Sequence, residues 1–376
     1  MKIVVFCCFC VLFLFIFEKN KEMNIGKKIR ELRISQGLSQ EDLAIRSNFS
    51  KSYIQKFEEG EREIKSSQLV QLSNGLNISI SELLLGTTYT SEEFGLRNIE
   101  FREGYKINFT QEVFEKQILS ELHGKYDAYN RLEKILKATI LFQNPLKNFD
   151  VIECNKDVEE VAKYLRKKWK FETTPIYDLV SFLEDLGVKI FEVDYDESFA
   201  GFSCWEKNTP IIVINIRNAD IPRRRFTVLH ELAHLILKFE VSEKSENIER
   251  FCDYFAGAML LPYDSLMTYI ENKNSISLEE LKRIKSKYGI SIFAILVRIV
   301  NVGVVGWDKY KEWKELYMSW KDKDSPYEGV ERVSRFNYLL AKGLNEELLS
   351  KSVASQLSGL PVKVLSNNSF SKEFVL

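Results

Sequence analysis

The segment FTVLHELAHLILK, residues 226–238, constrains the fold more than any other stretch of the chain. Val228, Leu229, Leu232, Leu235, Ile236 and Leu237 spread apolar side chains around most of a helical wheel, so the spacing predicts a helix from Phe226 to Lys238 that is buried on nearly every side. His230, Glu231 and His234 are drawn into those apolar surroundings, which is costly unless each finds a partner. Histidines at i and i+4 lie one turn apart on one face, so both imidazoles can bind a single metal ion, and the adjacent glutamate can reach a water on that ion as general base. The chain holds only three histidines, and a chance H-E-x-x-H in such a sequence is expected roughly once in a hundred or fewer.

A catalytic metal takes three protein ligands and keeps one position open. Downstream, NIERFCDYFAGAMLLP reads as a second apolar helix in which Glu249 and Asp253 share a face at i and i+4. We assign Glu249 as the third ligand and Asp253 as the carboxylate that orients a ligand imidazole, the reverse assignment staying open on spacing alone. Glu243 and Glu246 fall in the polar loop between the helices and read as solvent-facing. Upstream, the patterns predict helices over Val161–Trp169 and Ile176–Leu186, the latter ending at Gly187, then strands in VKIFEV, AGFSCW and PIIVINI. Helix, helix, strands, helix is an α+β order. Arg223, Arg224 and Arg225 read as a solvated approach to the histidine helix.

Residues 24–86 follow a different pattern, a series of short helices. Ile25, Ile29 and Leu32 sit at helical spacing, and Ser39 caps a second helix whose first turn carries Glu41 and Asp42. In SNFSKSYIQKFEEG, Asn48 suits the left-handed corner between helices and Ser50 caps the third. Ile54 and Phe57 face inward, which leaves Lys51, Ser52, Tyr53, Gln55 and Lys56 outward, residue types that suit base edges and phosphates. Electrostatic support for DNA binding is weak, since nine Lys or Arg stand against eight Asp or Glu in this stretch. Lys27, Lys28, Arg30 and Arg33 nonetheless cluster on the first helix.

This module resembles the XRE-type helix-turn-helix family, on the strength of Gln40 leading the second helix, Glu58-Glu59-Gly60 after the third, and the ending Leu83-Leu84. The resemblance implies a DNA-binding domain with Gln40, Lys51, Ser52, Tyr53, Gln55 and Lys56 as its contact residues. Over residues 155–265, GFS, PIIVIN, RRRFTVLHELAHLIL and IERFCDYFAGAMLLP together resemble the ImmA/IrrE family of zinc metallopeptidases. That resemblance implies a gluzincin-like endopeptidase with one zinc ion, His230, His234 and Glu249 as ligands and Glu231 as catalytic base. It also implies, as substrate, a protein such as a repressor or antitoxin. Ala233 stands where many members carry glycine, and Asp253 where asparagine is common.

The chain thus reads as multidomain. A hydrophobic leader over 1–22 precedes an all-α helix-turn-helix domain over 23–87 and a helical connector over 88–150, interrupted by Gly124 and readable as two helices or one bent helix. An α+β zincin-like metallopeptidase domain over 151–265 and an all-α region over 266–376 follow, the last with helices joined at Gly289. In the leader, the apolar run Ile3–Phe17 would make a helix of roughly 22 Å, short of a hydrocarbon core of about 30 Å, and we read Met23 as the start of translation. A cytoplasmic location is expected, with a membrane anchor through 3–17 as the alternative. Six cysteines without a paired spacing fit a reducing compartment, and 53 basic against 54 acidic residues leave any DNA contact to a local patch. His123 reads as a surface or packing residue rather than a ligand, and the aromatic residues of 307–320 as core. The expected partners are a double-stranded operator, a protein substrate and a second copy of the chain, without stable membrane association. The competing reading is a non-proteolytic regulator or antitoxin whose zincin-like domain only senses or binds a partner.

Overall fold

A computed structural model of the chain describes residues 25–62, 66–76, 118–195, 200–217, 219–240, 242–270, 276–320 and 324–365. The leader, the pair Leu83-Leu84 and the whole of the 88–117 stretch lie outside the described residues. What is described falls into two compact units, one ending at Gly124 and the other beginning at Lys125.

The first unit opens with α1 (Ile25–Ser35), α2 (Gln40–Ser47), α3 (Lys51–Glu58) and α4 (Ser66–Leu76). Ser39 and Asp42 form a reciprocal capping box at the start of α2, and the Ser50 hydroxyl accepts from the Tyr53 amide at 3.2 Å to start α3. Between them Asn48 takes φ 58°, the left-handed corner its side chain favours. Ile29, Leu43, Ala44, Ile54, Phe57, Leu72 and Leu76 close the core. Arg33 does not belong to the exposed basic cluster. It is buried, and its guanidinium donates to both oxygens of Glu58 at 2.6 and 2.9 Å, a bidentate pair that ties α1 to α3.

Helix α5 (Ser120–Leu136) runs through Gly124 as one element, one of the two alternatives that the sequence left open. In the second unit come α6 (Asn155–Lys168), α7 (Leu179–Asp185), β1 (Lys189–Val193), β2 (Gly201–Glu206) and β3 (Thr209–Asn215). Then follow α8 (Ile221–Ile236), α9 (Ser245–Leu260) and α10 (Tyr263–Met267). The strands form a mixed sheet in the order β1-β3-β2, parallel between β1 and β3 and antiparallel between β2 and β3. Helix α8 packs on β2 and β3, α9 packs on α8, and α6 covers α9. Beyond these lie α11 (Leu278–Tyr288), α12 (Ile292–Asn301), α13 (Trp307–Trp320), α14 (Arg335–Asn345), α15 (Lys351–Ser358) and α16 (Val362–Leu365). Gly289 caps α11 in the left-handed region and the Ser291 hydroxyl caps α12, as the spacing predicts. No helix among the described residues is long and apolar enough to cross a membrane.

Helix starts depart from the sequence reading for identifiable reasons. Helix α6 begins at Asn155 because Asp157 accepts the Cys154 amide at 2.9 Å, a cap that a cysteine conceals. Helix α7 begins at Leu179, where the Leu179 and Val180 amides donate to Glu331 from far along the chain. Asp220 accepts from the Arg223 amide at 2.9 Å and starts α8 a turn before Phe226, with Pro222 in the first turn. The aromatic residues of α13 divide: Tyr310 and Trp313 are core, whereas Trp307 is 56% exposed.

Arg225 is no solvated residue. It is 1% exposed, pairs with the equally buried Glu331, and donates to the carbonyls of Gly289 at 3.1 Å and Ile176 at 2.6 Å. Gly289 is required here, since a Cβ would fall 2.8 Å from the Arg225 Nε on a backbone at φ 62°. Breaking a buried pair from one side leaves an uncompensated charge, at a cost of about 3–5 kcal/mol, against about 0–1 kcal/mol for an exposed pair. All five tryptophans lie after Lys125, so tryptophan fluorescence reports the second unit alone. Urea unfolding followed by that signal is expected to show a loss of about 3–5 kcal/mol for Glu331→Ala and under about 1 kcal/mol for Lys156→Ala, whose partner Glu160 is exposed. Equal losses would contradict the assignment of Arg225 and Glu331 as a buried tie.

Candidate functional site

Helices α8 and α9 lie side by side with their polar faces turned toward each other. His230 and His234 place their Nε2 atoms 3.1 Å apart, and those atoms lie 3.2 Å from the Oε2 and Oε1 of Glu249 respectively. All three residues offer a ligand atom within 4.8 Å of the others. Despite these distances, neither carboxylate oxygen of Glu249 accepts a well-directed hydrogen bond, and both are buried. A buried carboxylate left unpaired is expensive, and two imidazole nitrogens aimed at the same point make a cation its natural partner. Two nitrogens and one carboxylate from adjacent helices are the donor set of a zinc site, so the residues fit that ion.

Asp253, one turn beyond Glu249 on α9, takes up the other nitrogen of His230: Nδ1 donates to Oδ1 at 2.9 Å. This contact fixes the tautomer and turns Nε2 toward the shared point. Of the two carboxylates that spacing left as alternatives, Glu249 carries the converging oxygens and Asp253 stands behind the ring. Burial works against a charged imidazole at His230, yet the bonded Asp253 and the nearby carboxylates of Glu249 and Glu231 outweigh it and raise its pKa to about 9. Burial likewise pushes Glu249 upward, but the two imidazoles overcome it and hold the carboxyl down to about 2.

Glu231 faces the sheet. It is 4% exposed, burial raises its pKa against the pull of both histidines, and its Oε2 accepts from the Ser203 hydroxyl on β2 at 2.9 Å. The strand can approach that closely because position 201 is glycine: a Cβ there would come within 2.7 Å of the Val213 carbonyl and 2.8 Å of the Thr227 methyl. The sequence reading quoted the GFS stretch but gave Gly201 and Ser203 no role in the site. Their partners lie 26–28 residues away on another element, and no local pattern announces such a contact. Glu243 and Glu246 are not among the converging ligands.

In the first unit, Lys51, Ser52, Gln55 and Lys56 are exposed on α3. Lys51 lies 3.5 Å from Glu41, and Gln55 donates to Glu59 at 3.0 Å. Tyr53 is half-buried, stacked on Phe49 at 5.0 Å and edge-on to Phe57 at 4.7 Å, with the Arg62 guanidinium 4.1 Å above its ring and its hydroxyl accepting from Gln68. Gln40 donates to Glu58 at 2.8 Å, adding a third contact to the carboxylate that Arg33 holds.

Comparison with known proteins matches residues 29–83 to the helix-turn-helix family model and residues 183–300 to the Peptidase M78 model, the IrrE N-terminal-like domain. The chain is 36% identical over 73 residues, 19% of its own length and 92% of the relative's, to an uncharacterized HTH-type transcriptional regulator, y4dJ, of Sinorhizobium fredii. Among solved structures it is similar to the restriction-modification controller protein C.AhdI from Aeromonas hydrophila, with 38% identity over 16% of this chain and 91% of that one and a TM-score of 0.16. It is also similar to apo ComR from S. thermophilus, with 15% identity over 94% of this chain and 97% of that one and a TM-score of 0.15. The chain therefore belongs to the XRE-type helix-turn-helix regulator family and carries, C-terminal to that module, an IrrE N-terminal-like domain of the M78 peptidase family.

Proposed function

We propose that the chain is a DNA-binding transcriptional regulator whose second unit is a zinc-dependent endopeptidase acting on a repressor or antitoxin-type protein. The observation that carries this reading is the buried Glu249 carboxylate, lacking a directed hydrogen bond, with two imidazole nitrogens converging on it and a separate glutamate beside them on α8. A purely structural metal site has no need of that second glutamate.

His230, His234 and Glu249 would hold the ion, which when bound polarises a scissile carbonyl and lowers the pKa of a water. Glu231 takes the proton from the attacking water and returns it to the leaving amine. The Ser203 hydroxyl holds one oxygen of Glu231 and so limits the directions in which the other can turn. Asp253 keeps His230 in the tautomer that leaves Nε2 unprotonated toward the ion. Strand β2 pairs only with β3 among the described strands, so its other edge is placed to receive an extended polypeptide. In the first unit, exposed Lys51, Ser52, Gln55 and Lys56 on the third helix supply the contacts to an operator, which a second copy of the chain would double.

Zinc-loaded protein incubated with repressor-type proteins encoded beside it is expected to cut one of them, and Glu231→Gln is expected to abolish the cut. Cleavage that survives Glu231→Gln would remove the assigned base, and no cleavage by either would favour a domain that only binds. Competition with a chromophoric chelator is expected to show Asp253→Ala weakening zinc binding by about 10–100-fold, the usual cost of losing the group that orients a ligand. For the first unit, fluorescence anisotropy on the chain's own upstream region is expected to show Lys51→Ala weakening binding to all sequences and lowering the salt slope by about one. Gln55→Ala is expected to cost about 1–3 kcal/mol on the preferred site and less on others. Unchanged binding by both would exclude α3 as the reading helix.

A further inference from the structure

The strand order β1-β3-β2 leaves β1 at one margin of the sheet, and a cavity of about 340 Å³ lies beside it. Three successive residues of β1, Ile190, Phe191 and Glu192, line this cavity although their side chains alternate between the two faces, so it abuts the edge of the strand. Helices α5, α14 and α15 supply the other walls. No lining residue stands on α8 or α9, so a molecule held here is no substrate of the metal centre.

Three aromatic rings form one corner. Tyr129 on α5 meets Phe191 at 6.3 Å and 86° and Phe336 on α14 at 5.5 Å and 70°, both edge-to-face, and Ile190, Val333 and Leu357 extend the apolar lining. Tyr129 cannot easily turn, because the Lys189 ammonium sits 3.8 Å from its ring and is itself bonded to Glu133 at 2.8 Å, both of them buried. Into this lining α14 places one amide. The Asn337 side chain is half-buried, lines the cavity and makes no hydrogen bond to any described residue. Ser358, by contrast, is engaged: its hydroxyl donates to the Ala354 carbonyl at 2.8 Å and accepts from the Leu360 amide at 3.1 Å. The charged lining residues are one of each sign, Lys125 donating to the Glu192 carbonyl at 3.4 Å and the Glu192 carboxylate lying 3.7 Å from Arg224.

A preformed aromatic corner takes a further ring in the same edge-to-face or offset manner, and an amide is matched by a neutral group that both donates and accepts. We propose that this cavity binds a small, uncharged aromatic molecule carrying one such group, a carboxamide for instance, with its ring against Tyr129, Phe191 and Phe336 and its polar group on Asn337. Its volume of about 340 Å³ is near the lower end of the roughly 300–1,000 Å³ of small-molecule sites, which suits one or two rings and excludes a folded partner. The inference goes beyond the zinc and operator readings and depends on neither.

Four probes separate ring, amide and charge: indoleacetamide, methylindole, acetamide and indoleacetate. The readout is methyl NMR on the full chain labelled at isoleucine, leucine and valine, in which Ile190, Val333 and Leu357 report the cavity and Val228 and Leu232 report α8. Indoleacetamide is expected to shift the three cavity signals saturably and to leave Val228 and Leu232 in place. It is expected to bind at least about fivefold tighter than methylindole, the effect of one hydrogen bond, and at least about tenfold tighter than indoleacetate, whose charge would lose its water. Acetamide, without a ring, is expected to shift nothing at the same concentrations. Asn337→Ala is expected to bring indoleacetamide down to the affinity of methylindole and to leave methylindole unchanged. Ala128→Phe, which fills the cavity from the half-buried face of α5, is expected to abolish binding of both. No saturable shift by either indole, shifts that spread to Val228 and Leu232, equal or tighter binding of the carboxylate, or an Asn337→Ala chain that still prefers the amide would each overturn the proposal. An Ala128→Phe chain whose Val228 and Leu232 signals have moved without ligand is misfolded, and Asn337→Ala then decides alone.

Discussion

Glu249 and the two imidazoles that face it are the constraint around which the second unit is arranged. These ionisable groups sit where apolar side chains would be cheaper; His230 is held from behind by Asp253, and Glu231 beside them is held by Ser203 of β2. Such an arrangement costs free energy unless a cation completes it. The surrounding core is correspondingly complete. Helix α8 buries eleven of its sixteen residues, from Pro222 to Ile236, so the site stands on an element that cannot easily turn.

Three buried arginines extend the same logic to the loops. Arg166, Arg225 and Arg298 are each 1% exposed, and each donates to backbone carbonyls at helix ends or in the loops. Arg166 collects those of Glu172, Met259 and Thr174, Arg298 that of Leu261, and Arg225 those of Gly289 and Ile176. A guanidinium carries five donors in a rigid fork, which suits this work where lysine would not. The effect is to bind the ends of α6, α9 and α11 around α8, and through Glu331 to fasten the segment before α14 to the same place.

What was legible in the sequence follows from what is local. The H-E-x-x-H spacing, the pairing of Glu249 with Asp253 at i and i+4, and the caps Ser39, Ser50 and Ser291 all act within one or two turns, and the structure places them as read. Arg225 and Arg33 misled because a cation near a helix terminus ordinarily faces water, and their partners Glu331 and Glu58 lie 106 and 25 residues away. Gly201 and Ser203 gave no signal of their contact with α8, since a strand pattern says which residues alternate but not which helix lies beneath. The buried start of α7 was hidden for the same reason: its cap comes from Glu331.

The central claim is that His230, His234 and Glu249 hold one zinc ion. X-ray absorption at the zinc edge on the purified full chain tests it most directly, together with elemental analysis for stoichiometry. The account predicts one zinc per chain, a shell of nitrogen and oxygen at about 2.0–2.2 Å with outer-shell scattering from two imidazoles, and loss of that signal in Glu249→Ala. A shell containing sulfur at about 2.3 Å, from a buried thiol such as Cys204 or Cys252, or a full zinc complement retained in Glu249→Ala, would contradict it.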